Sequence, residues 1–291
     1  MRKTQIKIDT RIDFLYGVRV VNPNQKGGNM KKILILIAAA ALVFAAASLH
    51  AKDWKTVRIG VEGAYPPFSW TTADGELKGF DIDIAKALVN AMGAEIKLVP
   101  QDWDGIIPAL LARKYDAIIA SMSITEERKK KVAFTDKYYN TPAKFVCKKG
   151  TMKDFTREQV AEVTAGKKIG VQRETIHDRF ISDVGKDAII KRYGTQDDAY
   201  LDLVAGRVDM LLADSVAMDG GFLKKPEGKD FQFIGPDITD EKWFGVGAGI
   251  ACRKEDTDLV EMFNKAIQQI RADGTYKKIQ DEYFDFNVYG D

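Results

Sequence analysis

The strongest constraint on the fold is an alternation of strand-like and helix-like segments that runs through twice. Val57-Arg-Ile-Gly-Val61 has the period-two pattern of a strand, and Gly63 with Pro66-Pro67 turns the chain after it. Asp81 then offers an N-cap to a helix whose apolar positions Ile84, Leu88 and Met92 recur every four residues, and Gly93 stops it. Residues 96–99 read as a strand, Asp102 or Asp104 begins a helix carrying Ile107, Leu110 and Leu111, and residues 117–120 form the next strand. The series restarts at Lys168 with strand 168–171, helix 175–182, strand 188–190, helix 197–205 and strand 208–212. Strands alternating with helices pack as doubly wound, mainly parallel sheets, and a second such set predicts a second α/β lobe.

Two extended segments, 141–148 and 245–252, flank the second set and are expected to cross between the lobes. The last long helix, from about Asp258, places Leu259, Met262, Phe263, Ala266, Ile267 and Ile270 on one face before Gly274 ends it. With this helix back on the first lobe, that lobe is discontinuous, 52–143 plus 249–291, around a second lobe of 144–248, and the two crossings act as a hinge. The 291 residues suffice for about two domains. Two cysteines and two histidines supply neither a disulfide framework nor a Cys/His zinc site. Cys147 and Cys252 sit one on each crossing segment, beyond the crossing and on oppositely directed chains, so two buried free thiols are expected.

Lys31-Lys32 precedes fifteen apolar residues, Ile33 to Ala47, and then Ser48-Leu49-His50-Ala51, the layout of a secretory signal peptide at 30–51. The run is shorter than the ~20 residues that span a bilayer. Cleavage after Ala51 gives a mature chain from Lys52, placed in the periplasm. Residues 1–29 do not suit a signal peptide, and Lys26-Gly27-Gly28-Asn29 is compatible with a purine-rich ribosome-binding site before Met30. We therefore expect 1–29 to be translated leader; any peptide from 1–29 in the unprocessed precursor would refute this. Of the chain's 44 basic and 42 acidic residues, residues 1–51 hold eight and two, which leaves 36 against 40 and a net charge of −4 beyond them. A mildly acidic chain without a basic stripe argues against a nucleic-acid partner.

With these segments laid out, the chain over residues 55–291 resembles the periplasmic amino-acid-binding proteins of ABC importers, nearest the lysine/arginine/ornithine and histidine binders. The residues that carry the resemblance are Val57-Arg-Ile-Gly-Val-Glu-Gly-Ala-Tyr-Pro-Pro-Phe68, Gly79-Phe-Asp-Ile-Asp83, Ile107-Pro-Ala-Leu110, Tyr115-Asp-Ala-Ile-Ile119, Ser121-Met-Ser-Ile-Thr-Glu-Glu-Arg128, Phe134-Thr-Asp136, Gly274-Thr-Tyr276 and the terminal Tyr283-Phe-Asp-Phe-Asn-Val-Tyr-Gly-Asp291. The resemblance implies a two-lobed type II periplasmic-binding-protein fold closing over one amino acid, no cofactor, a monomer, and an inner-membrane permease complex as partner.

It also implies roles for particular residues. An amino acid presents a carboxylate and an ammonium that both need partners once water is expelled. Arg128, whose guanidinium is a planar two-pronged donor, is the expected carboxylate partner; on charge pattern alone a solvated run over 126–131 is the better reading, and only the family's S-x-x-x-x-R spacing from Ser123 reverses it. Backbone N–H groups at Ser123, Thr175 and Ile176, in a loop that includes Gln172, add donors. Asp214 is the expected ammonium partner, with Ser121 and Ser123 as further acceptors; an N-cap role for Asp214 and turn roles for the serines stand beside this. Tyr65 and Trp103 match the aromatic walls around a cationic side chain, or else ordinary core. Glu62 matches the carboxylate aimed at the distal cation, or else the solvated end of its strand. Ala120 stands where a serine is common, and Glu174 where a small residue is usual, which an opine-like ligand would explain if that anion faces the site. His177 is expected on a helix surface, with contact to the ligand or donation to Asp178 as the alternatives. Lys148-Lys149 and Lys224-Lys225 read as solvated faces, at lobe tips of the kind that dock the permease. The competing class is an enzyme on the same fold, of the cyclohexadienyl dehydratase type, with Glu174 or Glu62 as general acid. Arg128 with Asp214 forms a complete amino-acid clamp, which such a diacid substrate does not need. A sensor domain feeding a membrane kinase is also compatible, but no kinase follows.

Overall fold

The computed structural model describes residues 52–290, and the expectations for the leader and signal peptide lie outside them. The strands are β1 (Thr56–Val61), β2 (Ala64–Tyr65), β3 (Ser69–Thr71), β4 (Leu77–Lys78), β5 (Glu95–Pro100), β6 (Ala117–Ile118), β7 (Ala133–Tyr139), β8 (Ala143–Lys148), β9 (Lys168–Gln172), β10 (Ile189–Tyr193), β11 (Met210–Asp214), β12 (Phe231–Ile238) and β13 (Ala248–Cys252). They form two five-stranded sheets, ordered β5-β1-β6-β13-β7 and β10-β9-β11-β8-β12, and a small β2-β3-β4 sheet. β1 runs parallel to β5 and β6, and β9 parallel to β10 and β11, while β13 and β8 run antiparallel to their neighbours. The fold is therefore α/β with parallel-rich sheets, as the alternation requires.

Each sheet has its own core. Val57, Ile59 and Val61 of β1 are fully buried with Ile84, Leu88 and Phe263 from two helices, and Phe145, Ile169, Phe180 and Leu212 fill the second. Burying each such side chain stabilises the fold by about 1.5–3 kcal/mol. The chain leaves the first sheet after Tyr139, enters the second at Ala143, and returns to the first before Ala248. Helix Thr257–Ala272 buries Leu259, Phe263, Ala266, Ile267 and Ile270 of its predicted stripe and half-buries Met262.

Several local expectations are corrected. The N-cap of helix Phe80–Ala91 is Gly79, at φ +127, where a Cβ would lie 2.3 Å from the Phe68 carbonyl oxygen; Asp81 falls inside the first turn, fully buried. Leu111 is 47% exposed because its helix, Ile106–Leu111, stops after six residues with only Ile106, Ala109 and Leu110 facing inward. The strand after Asp116 ends at Ile118, since Ser121 takes a left-handed φ of +53. β11 extends to Asp214, its last residue. Cys147 and Cys252 are free and buried, one in each five-stranded sheet. No helix among the described residues is long and apolar enough to cross a membrane.

Candidate functional site

All eleven residues singled out from the sequence line one cleft of about 600 Å³, its mouth included: Glu62, Tyr65, Trp103, Ala120, Ser121, Ser123, Arg128, Gln172, Thr175, Ile176 and Asp214. They arrive there because strand ends converge. Glu62 directly follows β1, Ala120 and Ser121 follow β6, and Gln172 and Asp214 are the last residues of β9 and β11. Carboxyl ends of parallel strands are where an open α/β sheet presents its loops. Tyr139, Asn140, Thr141, Ala143, His177, Phe244, Gly247 and Ala248 complete the wall.

Arg128 is half-buried on the short helix Glu126–Lys129. Its Nη1 donates to the Ser123 carbonyl at 3.0 Å, and its guanidinium lies 5.2 Å from the Trp103 ring centroid. It forms no ion pair among the described residues, and desolvation pulls its pKa down to about 10. The solvated-run reading is therefore wrong for Arg128, although Glu126 and Lys129 of the same run pair in solvent. Across the cleft, helix Ile176–Val184 is capped by the Thr175 hydroxyl, which accepts from Asp178 N–H. Thr175, Ile176 and His177 of that helix start line the same cavity, and N–H groups of a first turn have no intrahelical acceptor.

Asp214 fills the N-cap role considered for it and also lines the cleft. Its Oδ1 caps the next helix, accepting from Val216 and Ala217 N–H at 2.9 Å each, while Oδ2 accepts from the Thr141 hydroxyl. Burial raises its carboxyl to about 6 against the pull of those donors. Glu62 accepts from Gln172 Nε2 at 2.5 Å. Its carboxyl is raised to about 7, first by burial and then by the charges of Asp81, Asp102 and Asp197, with Gln172 pulling the other way. No cation pairs with Glu62 or Asp214 among the described residues. Tyr65 is half-buried, and its phenol is raised first by burial and then by Asp214, Tyr200 and Glu62.

His177 overturns its surface assignment. It is buried against Phe244, ring centroids 5.8 Å apart, because the helix start points into the cleft, and burial beside Arg128 lowers its pKa to about 3. Glu174 is exposed and outside the inner cavity; it adopts φ +59 and gives its carbonyl to the Trp103 indole N–H at 3.4 Å. That removes the ground for reading it as an anion facing the site. The two sides meet at the rim, where Arg173 Nε lies 2.7 Å from Asp104 Oδ2 and Arg179 pairs with Glu127. Sequence reasoning missed Asp81 and Tyr138. Together they hold Ser121, yet Asp81 stands three residues before Ile84 on the buried stripe, a legible sign of a buried acid.

Two parallel-rich sheets whose strand ends enclose a charged cleft define a two-lobed α/β solute-binding protein. The chain belongs to the bacterial extracellular solute-binding proteins, family 3, whose family model matches residues 57–286. It is 51% identical over 263 residues to the L-arginine-binding protein of Pseudomonas aeruginosa, covering 90% of this chain and 99% of that one. It is 41% identical over 264 residues to the lysine/arginine/ornithine-binding periplasmic protein of Escherichia coli, covering 90% and 100%. Among solved structures, an ancestral arginine-binding protein bound to arginine superposes with a TM-score of 0.72 at 37% identity, covering 79% of this chain and 98% of that one.

Proposed function

We propose that this protein is a non-catalytic periplasmic receptor that closes two lobes over one cationic L-amino acid, arginine, lysine or ornithine, and delivers it to an inner-membrane ABC permease. The observation that carries the reading is the charge pattern of one cleft, a guanidinium and two carboxylates that all lack counter-ions among the described residues. Arg128 complements the ligand carboxylate, Asp214 with Ser121 and Ser123 the ammonium, and Glu62 the distal cation between Tyr65 and Trp103. An uncompensated buried charge is costly, so the groups that neutralise these three belong to the ligand. The names of the arginine and lysine/arginine/ornithine relatives support the same side-chain class. Residues 52–143 with 249–291 form one lobe and 144–248 the other, joined by the two connections as a hinge, and the receptor acts as a monomer. Of the two general-acid candidates Glu174 is exposed outside the cavity, and Glu62 inside it is assigned here to the distal cation; the names of the relatives as binding proteins support the receptor over a dehydratase.

Titration calorimetry tests this directly. Arginine, lysine or ornithine is expected to bind 1:1 below about 1 μM, some 8 kcal/mol or more, and citrulline, the neutral isostere of arginine, far more weakly. Equal affinity for arginine and citrulline would remove Glu62 from its role. Turnover of a cyclohexadienyl substrate without arginine binding would replace the receptor by the enzyme.

A further inference from the structure

A fourth carboxylate stands one layer behind the cleft wall. Asp81 is 0% exposed, and each of its oxygens takes one donor, Tyr138 Oη at 2.8 Å on Oδ1 and Ser121 Oγ at 2.9 Å on Oδ2. The ring closes through Ser121 N–H, which donates to Tyr138 Oη at 3.1 Å. Ser121 itself lines the cleft at φ +53, a backbone region that residues with a Cβ rarely occupy. No cation among the described residues pairs with Asp81, so the ring serves no ion pair.

A serine hydroxyl has one proton and two lone pairs. Above about pH 7, where Asp81 is ionised, the hydroxyl proton stays on it and only lone pairs remain for the cleft. We propose that Asp81 is a positioning residue that makes Ser121 an acceptor-only group facing the cavity, matched to the N–H donors of an α-ammonium. This rests on the amino-acid-receptor reading and adds to it the way the ammonium is recognised. Asp214 accepts at the same end of the cleft, so the ammonium meets one carboxylate directly and a second through Ser121.

The test is calorimetry on the whole protein with Asp81→Asn, Ser121→Ala and the double variant. Two ligands are compared, arginine and 5-guanidinopentanoate, the arginine skeleton without its α-ammonium. Asp81→Asn is expected to weaken arginine about tenfold, the size of one hydrogen bond to a charged group, to leave 5-guanidinopentanoate within about twofold, and to add nothing once Ser121 is alanine. Equal losses for both ligands, no loss for arginine, or an undiminished loss in the Ser121→Ala background each overturn the role. If Asp81→Asn does not fold, Tyr138→Phe keeps the charge and removes the centre of the ring. It is expected to weaken arginine alone by about threefold, and an equal loss for both ligands overturns the proposal. A wild-type protein that binds none of arginine, lysine and ornithine overturns the receptor reading and this role with it. Wild-type binding with Asp81→Asn unchanged overturns the positioning role alone.

Discussion

The molecule buries charge in two places and treats it in opposite ways. Under the first sheet, Arg253 is 1% exposed, and its Nη1 donates to the Leu110 and Tyr115 carbonyls at 3.1 and 2.6 Å. Its Nη2 lies 3.2 Å from Asp116 Oδ1 and 2.6 Å from Asp256 Oδ2. Asp116 is gripped again by Arg58, and Asp256 by Lys52 at 3.0 Å. Burial pushes the Asp116 carboxyl up, but the hydrogen bonds and charge of Arg58 outweigh it and hold it below the usual range. In the cleft the same kinds of group are also withdrawn from water, yet each shifts toward its neutral form. Glu62 and Asp81 rise to about 7, Asp214 rises to about 6, and Arg128 falls to about 10. In one region each buried charge has a counter-ion within the chain, although Arg253 Nε finds no acceptor among the described residues. The other is complete only with something added.

The largest break in this contrast comes from the complete side. Arg253→Met leaves Asp116 and Asp256 facing each other in the core and is expected to cost about 3–5 kcal/mol of stability. Urea unfolding should show it, while ligand affinity well below the midpoint stays unchanged. On the incomplete side, Arg128→Ala or Asp214→Asn should leave stability almost intact and weaken binding of every amino acid, basic or neutral, by roughly a hundredfold, the size of one to two charged hydrogen bonds. Loss of folding rather than binding would show that the cleft charges are structural after all.

Most of the fold was legible before the structure because its signals are periodic and local. The β1, β5, β9 and β10 segments and the stripe on Thr257–Ala272 needed only alternation and three-four spacing. β7 carries Asp136 and Lys137 in mid-strand, and β12 contains Gly235-Pro236 at a register shift, so neither shows a clean period. The cleft residues were found through ordered motifs. His177 escaped because burial of a polar residue at a helix start depends on which way that start points; Asp81 was legible three residues before Ile84 on the buried stripe but was read as a cap.

Smaller effects sharpen the comparison. Glu62→Gln should weaken basic ligands about tenfold while sparing neutral ones, as loss of one charged contact requires; equal losses would place Glu62 outside the side-chain pocket. The raised carboxyl of Glu62 also sets a pH dependence. In the empty protein Glu62 holds a proton up to about 7, above its ordinary 4.5, so its contribution to ligand-free stability is full below the ordinary value and is lost as pH rises through 7. A cationic ligand restores the ionised form, so basic-ligand affinity should rise from pH 5 to 8 with proton release, seen by calorimetry in buffers of different ionisation enthalpy. Glu62→Gln should flatten that slope in part, leaving a residue from Asp81 and Asp214. The smallest effect belongs to the rim. Arg173→Ala removes an exposed pair with Asp104 and should change affinity by less than about 1 kcal/mol, mainly through faster ligand release in stopped-flow.

The two cysteines give the molecule a pair of native reporters. Cys147 lies in one five-stranded sheet and Cys252 in the other, both sealed from solvent, and burial pushes both thiols up, away from the reactive thiolate. An alkylating reagent therefore modifies each only when its own half of the molecule comes apart. Peptide-resolved labelling during denaturation records, without introducing any probe, whether the halves disassemble as one cooperative unit or in sequence.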